Sequence, residues 1–449
     1  MPAPTDTIAA LATPAGVSAI AVVRVSGPDT AGVAAAVFGA APPPRTVRRG
    51  RYRDRAGALL DDVLFTFFAG PHSYTGEDAL EISSHGNPFI AQKILEDLFA
   101  RGCRPAQAGE FTQRAFLNGR MDLSQAEAVM DVIHARSDRA LAAAHQLLCG
   151  ALGRRMNGLI ERLVGVLARI EAYIDFPEDD LPAEDRSQAR RDVDWILLET
   201  NRLMATSHYG ELLRDGLKTV IVGPPNAGKS SLLNRLVGHE RALVSPEPGT
   251  TRDFIEERIV VGPHCLRLID TAGLNPAPGA VEKLGIEKTM ERLDEADLVV
   301  VVLDTSLPYP SLPSFPPAKP LLCVLNKIDL VGKSRPQAPF VDSSVETIEV
   351  SARTGAGLEQ LTAAIVRRAD AFQVENGADA VAINARHAHA LAQARECLQA
   401  ASAKLEGDAP VELLASDLRG VLDAFGEIVG RIDNEQVLDR LFATFCIGK

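Results

Sequence analysis

The 449-residue chain is too long for one ordinary domain, and its formal net charge of -12 excludes a basic nucleic-acid footprint on the whole-chain scale. Hydrophobic residues make up 46%, enough for real cores, yet no run of about 18 apolar residues is available to span a bilayer. Six scattered cysteines without a CxxC pair exclude a zinc ribbon and argue against a disulfide framework. The N-terminus lacks the basic and apolar regions of a secretory leader, so the expected location is cytoplasmic.

Residues 1–118 read as mixed α/β. AIAVVRVSG (19–27) and DDVLFTFFAG (61–70) are strand-like apolar runs closed by glycine. Between them lie six arginines: Arg45, Arg48, Arg49, Arg51, Arg53 and Arg55. They fit either a solvated edge strand whose charge blocks further pairing, or a contact to RNA phosphates. PFIAQKILEDLFARG (88–102) has helical spacing and a glycine stop.

From Leu123 the chain turns helical, with Ser124 and Glu127 forming a capping-box pattern. Helical periodicity continues over 156–174 and 189–205, and returns from Asn384 to Phe445. One helical domain interrupted by an α/β block accounts for this most economically, because insertion is tolerated where chain ends lie close. Two separate helical domains are the alternative. The expected division is 1–118, 119–211, 212–371 and 372–449. The expected fold class is α/β plus α: an N-terminal α/β domain and a discontinuous helical domain carrying an inserted, Ras-like P-loop G domain.

The inserted block carries the clearest chemistry. LKTVIVG (217–223) leads into GPPNAGKS (223–230) and then a helix, the strand–loop–helix setting that a phosphate-binding P-loop requires. Glycines let backbone N–H groups wrap phosphates, and the helix N-terminus adds its dipole. Asn226, Ala227, Gly228, Lys229, Ser230 and Ser231 form this cradle. Lys229 is expected at the β- and γ-phosphates and Ser230 at Mg²⁺. Asn226 by itself is equally a turn residue.

Further motifs follow in order. Thr250 and Thr251, in GTTRD (249–253), offer a hydroxyl for Mg²⁺. Asp270, Thr271, Ala272 and Gly273 end a strand, where Asp270 can hold the metal through water and the Gly273 N–H can sense the γ-phosphate. Asn326, Lys327 and Asp329 end another strand; the Asp329 carboxylate can accept both N1–H and N2–H of guanine, a pair adenine does not offer. Ser351, Ala352 and Arg353 can close over the base. On successive strand ends of one α/β block, this order specifies GTP rather than ATP. Leu274 stands where Ras-like enzymes place a water-orienting Gln, so the catalytic helper must come from elsewhere.

Over its full length the chain resembles the MnmE (TrmE) family of bacterial tRNA-modification GTPases. The resemblance rests on SYTGEDALE (73–81), GEFTQRAFLNGRMDLSQAEAV (109–129), PNAGKSSLLN (225–234), PGTTRD (248–253) and the terminal CIGK. It implies an N-terminal folate-binding-like domain that dimerises and binds 5-formyl-tetrahydrofolate or a related folate. It also implies a flavoprotein partner, MnmG, with which the homodimer adds an aminomethyl or carboxymethylaminomethyl group at C5 of the wobble uridine of certain tRNAs. GTP hydrolysis is expected to accelerate when two G domains meet across K⁺, held by Asn226, Ser245, Glu247 and Thr250. Glu282, in VEKLGI (281–286), matches the family's water-orienting glutamate; alone it reads as an ordinary first-turn helix residue. Folate contacts map to Arg24, Glu81, Arg120 and Lys449, with Arg120 where the family often has lysine. Cys446 is a candidate for thiol chemistry or for passive packing near the folate pocket.

Asn275 and the Pro-rich stretches 275–280 and 307–320 depart from the family pattern. Two other functions share the nucleotide site: a GTP-switched ribosome-assembly factor, and a folate-dependent aminomethyltransferase with a regulatory G domain. The first expects a GxxG clamp in a βαα pattern, which the sequence lacks.

Overall fold

The structure is a computed structural model, and it describes residues 6–40, 43–175, 186–239, 241–242, 256–270, 293–309, 319–331, 345–374, 380–407, 410–430, 441–442, 445 and 448. The chain forms two compact units. One comprises Met1–Met130, Leu148–Glu161 and Leu422–Lys449; the other comprises Asp131–Leu147 and Arg162–Val421.

The first unit opens with β1 (Ile8–Leu11), β2 (Ile20–Ser26), α1 (Thr30–Phe38), β3 (Arg48–Arg53), β4 (Leu59–Phe68), β5 (Ala79–His85), α2 (Pro88–Ala100), β6 (Arg104–Pro105) and α3 (Glu110–Leu117). The strands make one sheet of order β3-β4-β5-β2-β1-β6. The expected strands and the expected helix over 88–102 are all present. Alternation along the strands sends Val23, Val25, Val63, Phe65, Leu80 and Ile82 to one face, where Val33, Val37, Ile94 and Leu98 of α1 and α2 cover them. On the opposite face Phe111 of α3 packs with Ile8 and Ala10.

The helical run continues as α4 (Leu123–His134), α5 (Asp138–Leu148), α6 (Ala151–Asp175), α7 (Arg186–Ala205) and α8 (Ser207–Asp215). The capping box is not Ser124 with Glu127. Asp122 Oδ1 accepts from Gln125 N at 2.9 Å, and Gln125 Oε1 accepts from Asp122 N at 3.0 Å. Ser124 is spent donating to the same carboxylate at 2.6 Å. A charged carboxylate is the stronger acceptor for orphan helix N–H groups, so the aspartate two residues earlier takes the cap.

The second unit holds β7 (Leu217–Val222), α9 (Lys229–His239), β8 (Arg241–Ala242), β9 (Glu256–Val261), β10 (His264–Asp270), β11 (Leu298–Asp304), β12 (Leu321–Asn326), β13 (Glu346–Glu349), α10 (Leu358–Val374) and α11 (Ala385–Glu406). α12 (Val411–Val429) follows. The sheet order is β13-β12-β11-β7-β10-β9-β8, with β13, β12, β11, β7 and β10 parallel. Near-continuous apolar runs such as LVVVVLD are what strands buried on both faces require. One face is covered by Leu232, Leu233 and Leu236 of α9 with Leu361 and Ile365 of α10. Leu293 and Ala296 pack on the other, beside Val220, Val299 and Val301. This is the doubly wound order of a Ras-like G domain. Among the described residues no helix is long and apolar enough to cross a membrane.

Candidate functional site

The C-terminal ends of β7, β10, β11 and β12 lie along one edge of this sheet. Asp270 is paired with Ile221, Val301 with Val222, and Asp304 with Asn326. In open α/β sheets that edge is where ligands bind.

The P-loop turns there at Gly223. Its φ of +151° and a Val302 carbonyl 2.1 Å from any added Cβ leave room for glycine alone. Asn226 adopts φ +62° and is exposed. At Gly228, with φ +91°, a Cβ would sit 2.3 Å from Asn326 Nδ2. Lys229 Nζ donates to the carbonyls of Gly223 and Pro224 at 2.8 and 2.9 Å, so its ammonium is turned into the loop. Ser230 and Ser231 are exposed in the first turn of α9, where helix N–H groups await an anion.

Asn326 joins the remaining parts. Fully buried, it donates through Nδ2 to the Ala227 carbonyl at 2.9 Å and accepts through Oδ1 from the Ala352 N–H at 3.0 Å. Two predicted loops are thereby tied to the P-loop. Ser351, also buried, donates from Oγ to Asp329 Oδ1 at 2.6 Å and accepts from Thr354 N–H at 3.1 Å. Asp329 itself is exposed, as is Arg353.

The sequence reading missed Asp304, at the end of β11. Its carboxylate accepts from Lys327 Nζ at 2.6 Å and from the N–H and Oγ of Ser306 at 2.9 and 2.6 Å. Burial opposes the charge on Asp304, but Lys327 and the Ser306 donors outweigh it and hold the carboxyl below the usual carboxylate range. The ion pair fixes Lys327, whose backbone sits at φ +66°. A charged residue closing the apolar run LVVVVLD was the available signal.

Asp270 is placed by its backbone at the end of β10. Ser245, Glu247, Thr250, Thr251, Thr271, Ala272, Gly273 and Glu282 lie outside the described residues, as do Leu274, the stretch 275–280 and most of 307–320. A cavity of about 340 Å³ beside Arg136, Arg214 and Arg258 contains none of the predicted site residues.

In the first unit the structure brings together Arg24, Glu81 and the C-terminal tail. Arg24 donates from Nη2 and Nε to Glu81 Oε1 at 2.8 and 3.1 Å, and from Nη1 to the Gly448 carbonyl at 3.3 Å. Its guanidinium lies 5.5 Å from the ring centre of Tyr74 and 5.7 Å from that of Phe111. The tail is seated by Phe442 and Phe445, which pack on Leu123 and Ala126. Arg120 is exposed and lies against Gly76, whose added Cβ would meet its side chain at 3.3 Å. Cys446 and Lys449 lie outside the described residues.

A family model described as the GTP-binding protein TrmE N-terminus matches residues 7–120, and one described as the MnmE helical domain matches residues 123–446. The chain belongs to the MnmE (TrmE) family. The helical match brackets the whole of the P-loop sheet, in keeping with a helical domain interrupted by a G domain. The tRNA modification GTPase MnmE of Opitutus terrae is 61% identical over 455 residues, covering 100% of both chains. Its namesakes from Akkermansia muciniphila and Symbiobacterium thermophilum are 44% and 42% identical, each over 99% of both chains.

Proposed function

We propose that this MnmE-family protein is a K⁺-dependent, dimerisation-activated GTPase of tRNA modification. With the flavoprotein MnmG it adds an aminomethyl or carboxymethylaminomethyl group at C5 of the wobble uridine. The observation that carries the GTPase part is the Asn326 junction. It holds the phosphate loop, the Asp329 segment and the Ser351–Arg353 segment in one arrangement, the preorganisation that guanine-nucleotide binding and hydrolysis need.

Lys229 neutralises charge on the β- and γ-phosphates, and Asp329 selects guanine. The accessible Ser230 hydroxyl, beside the helix N-terminus, suits a hard cation. Ser230 and Thr251 would hold Mg²⁺, with Asp270 acting through water. Asn226, exposed on a left-handed backbone, suits K⁺ with Ser245, Glu247 and Thr250. When bound, the two cations offset negative charge that builds on the transferring phosphoryl group. Glu282 orients the attacking water, the task Leu274 does not perform. The second G domain of a homodimer completes the site.

In the N-terminal domain, Arg24, near the rings of Tyr74 and Phe111, and its partner Glu81 present a donor and an acceptor. That chemistry fits the polar pterin edge and anionic tail of a folate. Arg120 and Lys449 add positive charge, and Cys446 would sit at the pocket on the Gly448 tail. The decisive test is mass spectrometry of wobble uridine in tRNA from a deletion strain. Loss of the modified nucleoside, restored by the wild-type gene, is expected; unaltered nucleosides would refute the tRNA assignment.

A further inference from the structure

Among the described residues β3 is an edge strand, bonded only to β4. Its residues alternate between two environments. Gly50 and Tyr52 face the core: a Cβ on Gly50 would meet the rings of Phe65 and Phe38 at 2.8 and 3.0 Å, and fully buried Tyr52 donates to Asp97 at 2.9 Å. Arg49, Arg51 and Arg53 therefore project from the opposite face, and all three are exposed. Successive side chains on that face recur about 6.8 Å apart, twice the strand rise. Arg45, Arg48 and Arg55 are exposed as well; Arg48 has the parity of Gly50 and Tyr52, and Arg55 lies against α2, so these add positive charge around the strand without lengthening the row.

The charge along this segment is largely uncompensated. Arg49 pairs with Asp62 at 2.9 Å, although its side chain is 75% exposed. Arg45, Arg53 and Arg55 donate to the carbonyls of His72, Gly57 and Ala100, which satisfy geometry but leave the charge. Among the described residues Arg48 and Arg51 have no carboxylate partner. The nearby Asp61 is occupied by His85, through its ring and its N–H, both at 2.8 Å.

Guarding an edge needs only one or two charges, for which lysine serves well. Here there are six arginines and no lysine, on a chain whose net charge is -12. Arginine's planar fork is the group suited to phosphate oxygens.

We infer that the outer face of β3 is an RNA-docking surface, contacting the phosphate backbone of the tRNA without reading its bases. This rests on the tRNA reading above. On a chain with a net charge of -12, a local arginine row also helps to orient an approaching polyanion.

The test is fluorescence anisotropy of a labelled unmodified tRNA transcript with the full-length protein, titrated at several KCl concentrations. The variants are R49E/R51E/R53E and R49Q/R51Q/R53Q. Both should lose roughly tenfold or more in affinity, and the slope of log affinity against log salt should become shallower by about 2 to 3, near 0.9 per lost phosphate contact. GTP hydrolysis without tRNA should be unchanged, which certifies the fold. The glutamate variant keeps the edge charged, so a purely edge-guarding role predicts unaltered tRNA binding, and that result overturns the inference. An affinity loss with an unchanged salt slope overturns it as well, since the contacts would not be to phosphate. Should the glutamate variant misfold, the glutamine variant decides by the same criteria. If the wild-type protein shows no salt-dependent tRNA binding, the tRNA reading falls, and the inference with it.

Discussion

Replacing Asn326 by alanine isolates the junction on which the nucleotide site depends. The substitution strands the Ala227 carbonyl and the Ala352 N–H, both held by Asn326 in a buried setting. Each buried group left unpaired costs about 1 to 3 kcal/mol. Water entering the vacated space offsets part of this, so about 2 to 3 kcal/mol in total is expected. The bonds exist without nucleotide, so the loss should appear in the nucleotide-free protein, as a drop in Tm of roughly 4 to 12 °C for a unit of this size. Asp329→Asn is the control. Asp329 is exposed, and an asparagine oxygen can still accept from Ser351, so Tm should hold while guanine discrimination weakens. Differential scanning calorimetry with and without GTP, beside GTP and XTP affinities, separates the two. An unchanged nucleotide-free Tm in Asn326→Ala, with GTP binding lost, would show that the junction forms only around the ligand, contrary to the reasoning here.

GTP turnover should rise strongly in KCl over NaCl, and equal rates would remove the K⁺-bridged dimer. Glu282→Ala should slow turnover with nucleotide affinity nearly intact; lost affinity instead makes Glu282 structural. In the first unit, burial raises the Glu110 carboxyl, but Arg104, the Gln107 N–H and Arg114 together hold it below its ordinary 4.5. A depressed carboxyl contributes stability above its unfolded pKa and loses it as pH falls through the folded one. Unfolding followed from pH 6 downward, about the range where carboxylates begin to titrate, should therefore show a steeper acid limb in wild type than in Glu110→Gln; parallel curves refute the assignment. Arg24→Ala should weaken 5-formyl-tetrahydrofolate binding by isothermal calorimetry while leaving GTP hydrolysis intact, and unchanged folate affinity would move the pocket elsewhere.

The strands, the P-loop and the G-domain order were legible because each is a local pattern: an apolar run, a glycine spacing, a polar residue at a strand end. What escaped the sequence was competition and distance. Asp122-x-x-Gln125 and Ser124-x-x-Glu127 are overlapping boxes of similar appearance, and only the relative acceptor strength of carboxylate and hydroxyl decides between them. Asp304 carries no motif of its own; its importance comes from Lys327, 23 positions further along, which follows Asn326, the residue paired with Asp304 between β11 and β12. The Arg24 contact to Gly448 spans 424 positions, so no local pattern announces it. There the family resemblance supplied the residues, and the structure supplied the contact.

Two arginines of the first unit show how coordination separates a structural charge from one suited to a ligand. Arg114 is 1% exposed, and its two terminal nitrogens are shared among Asp6, Glu77 and Glu110. Removing it takes a shared cation from all three; Arg104 still pairs with Asp6 and Glu110 at 2.7 and 2.6 Å, so the loss falls mainly on Glu77, 13% exposed, which keeps only the Ser26 hydroxyl among the bonds described. Arg24 is 18% exposed and, among the described residues, pairs with one carboxylate, Glu81, itself 33% exposed. Its remaining donors reach a single tail carbonyl at 3.3 Å. A guanidinium with one carboxylate, two aromatic rings and partial access to solvent can exchange a weak bond for a stronger anionic partner. One enclosed by three carboxylates cannot. On these grounds Arg114 serves the fold, and Arg24 has the coordination that the proposed folate contact requires.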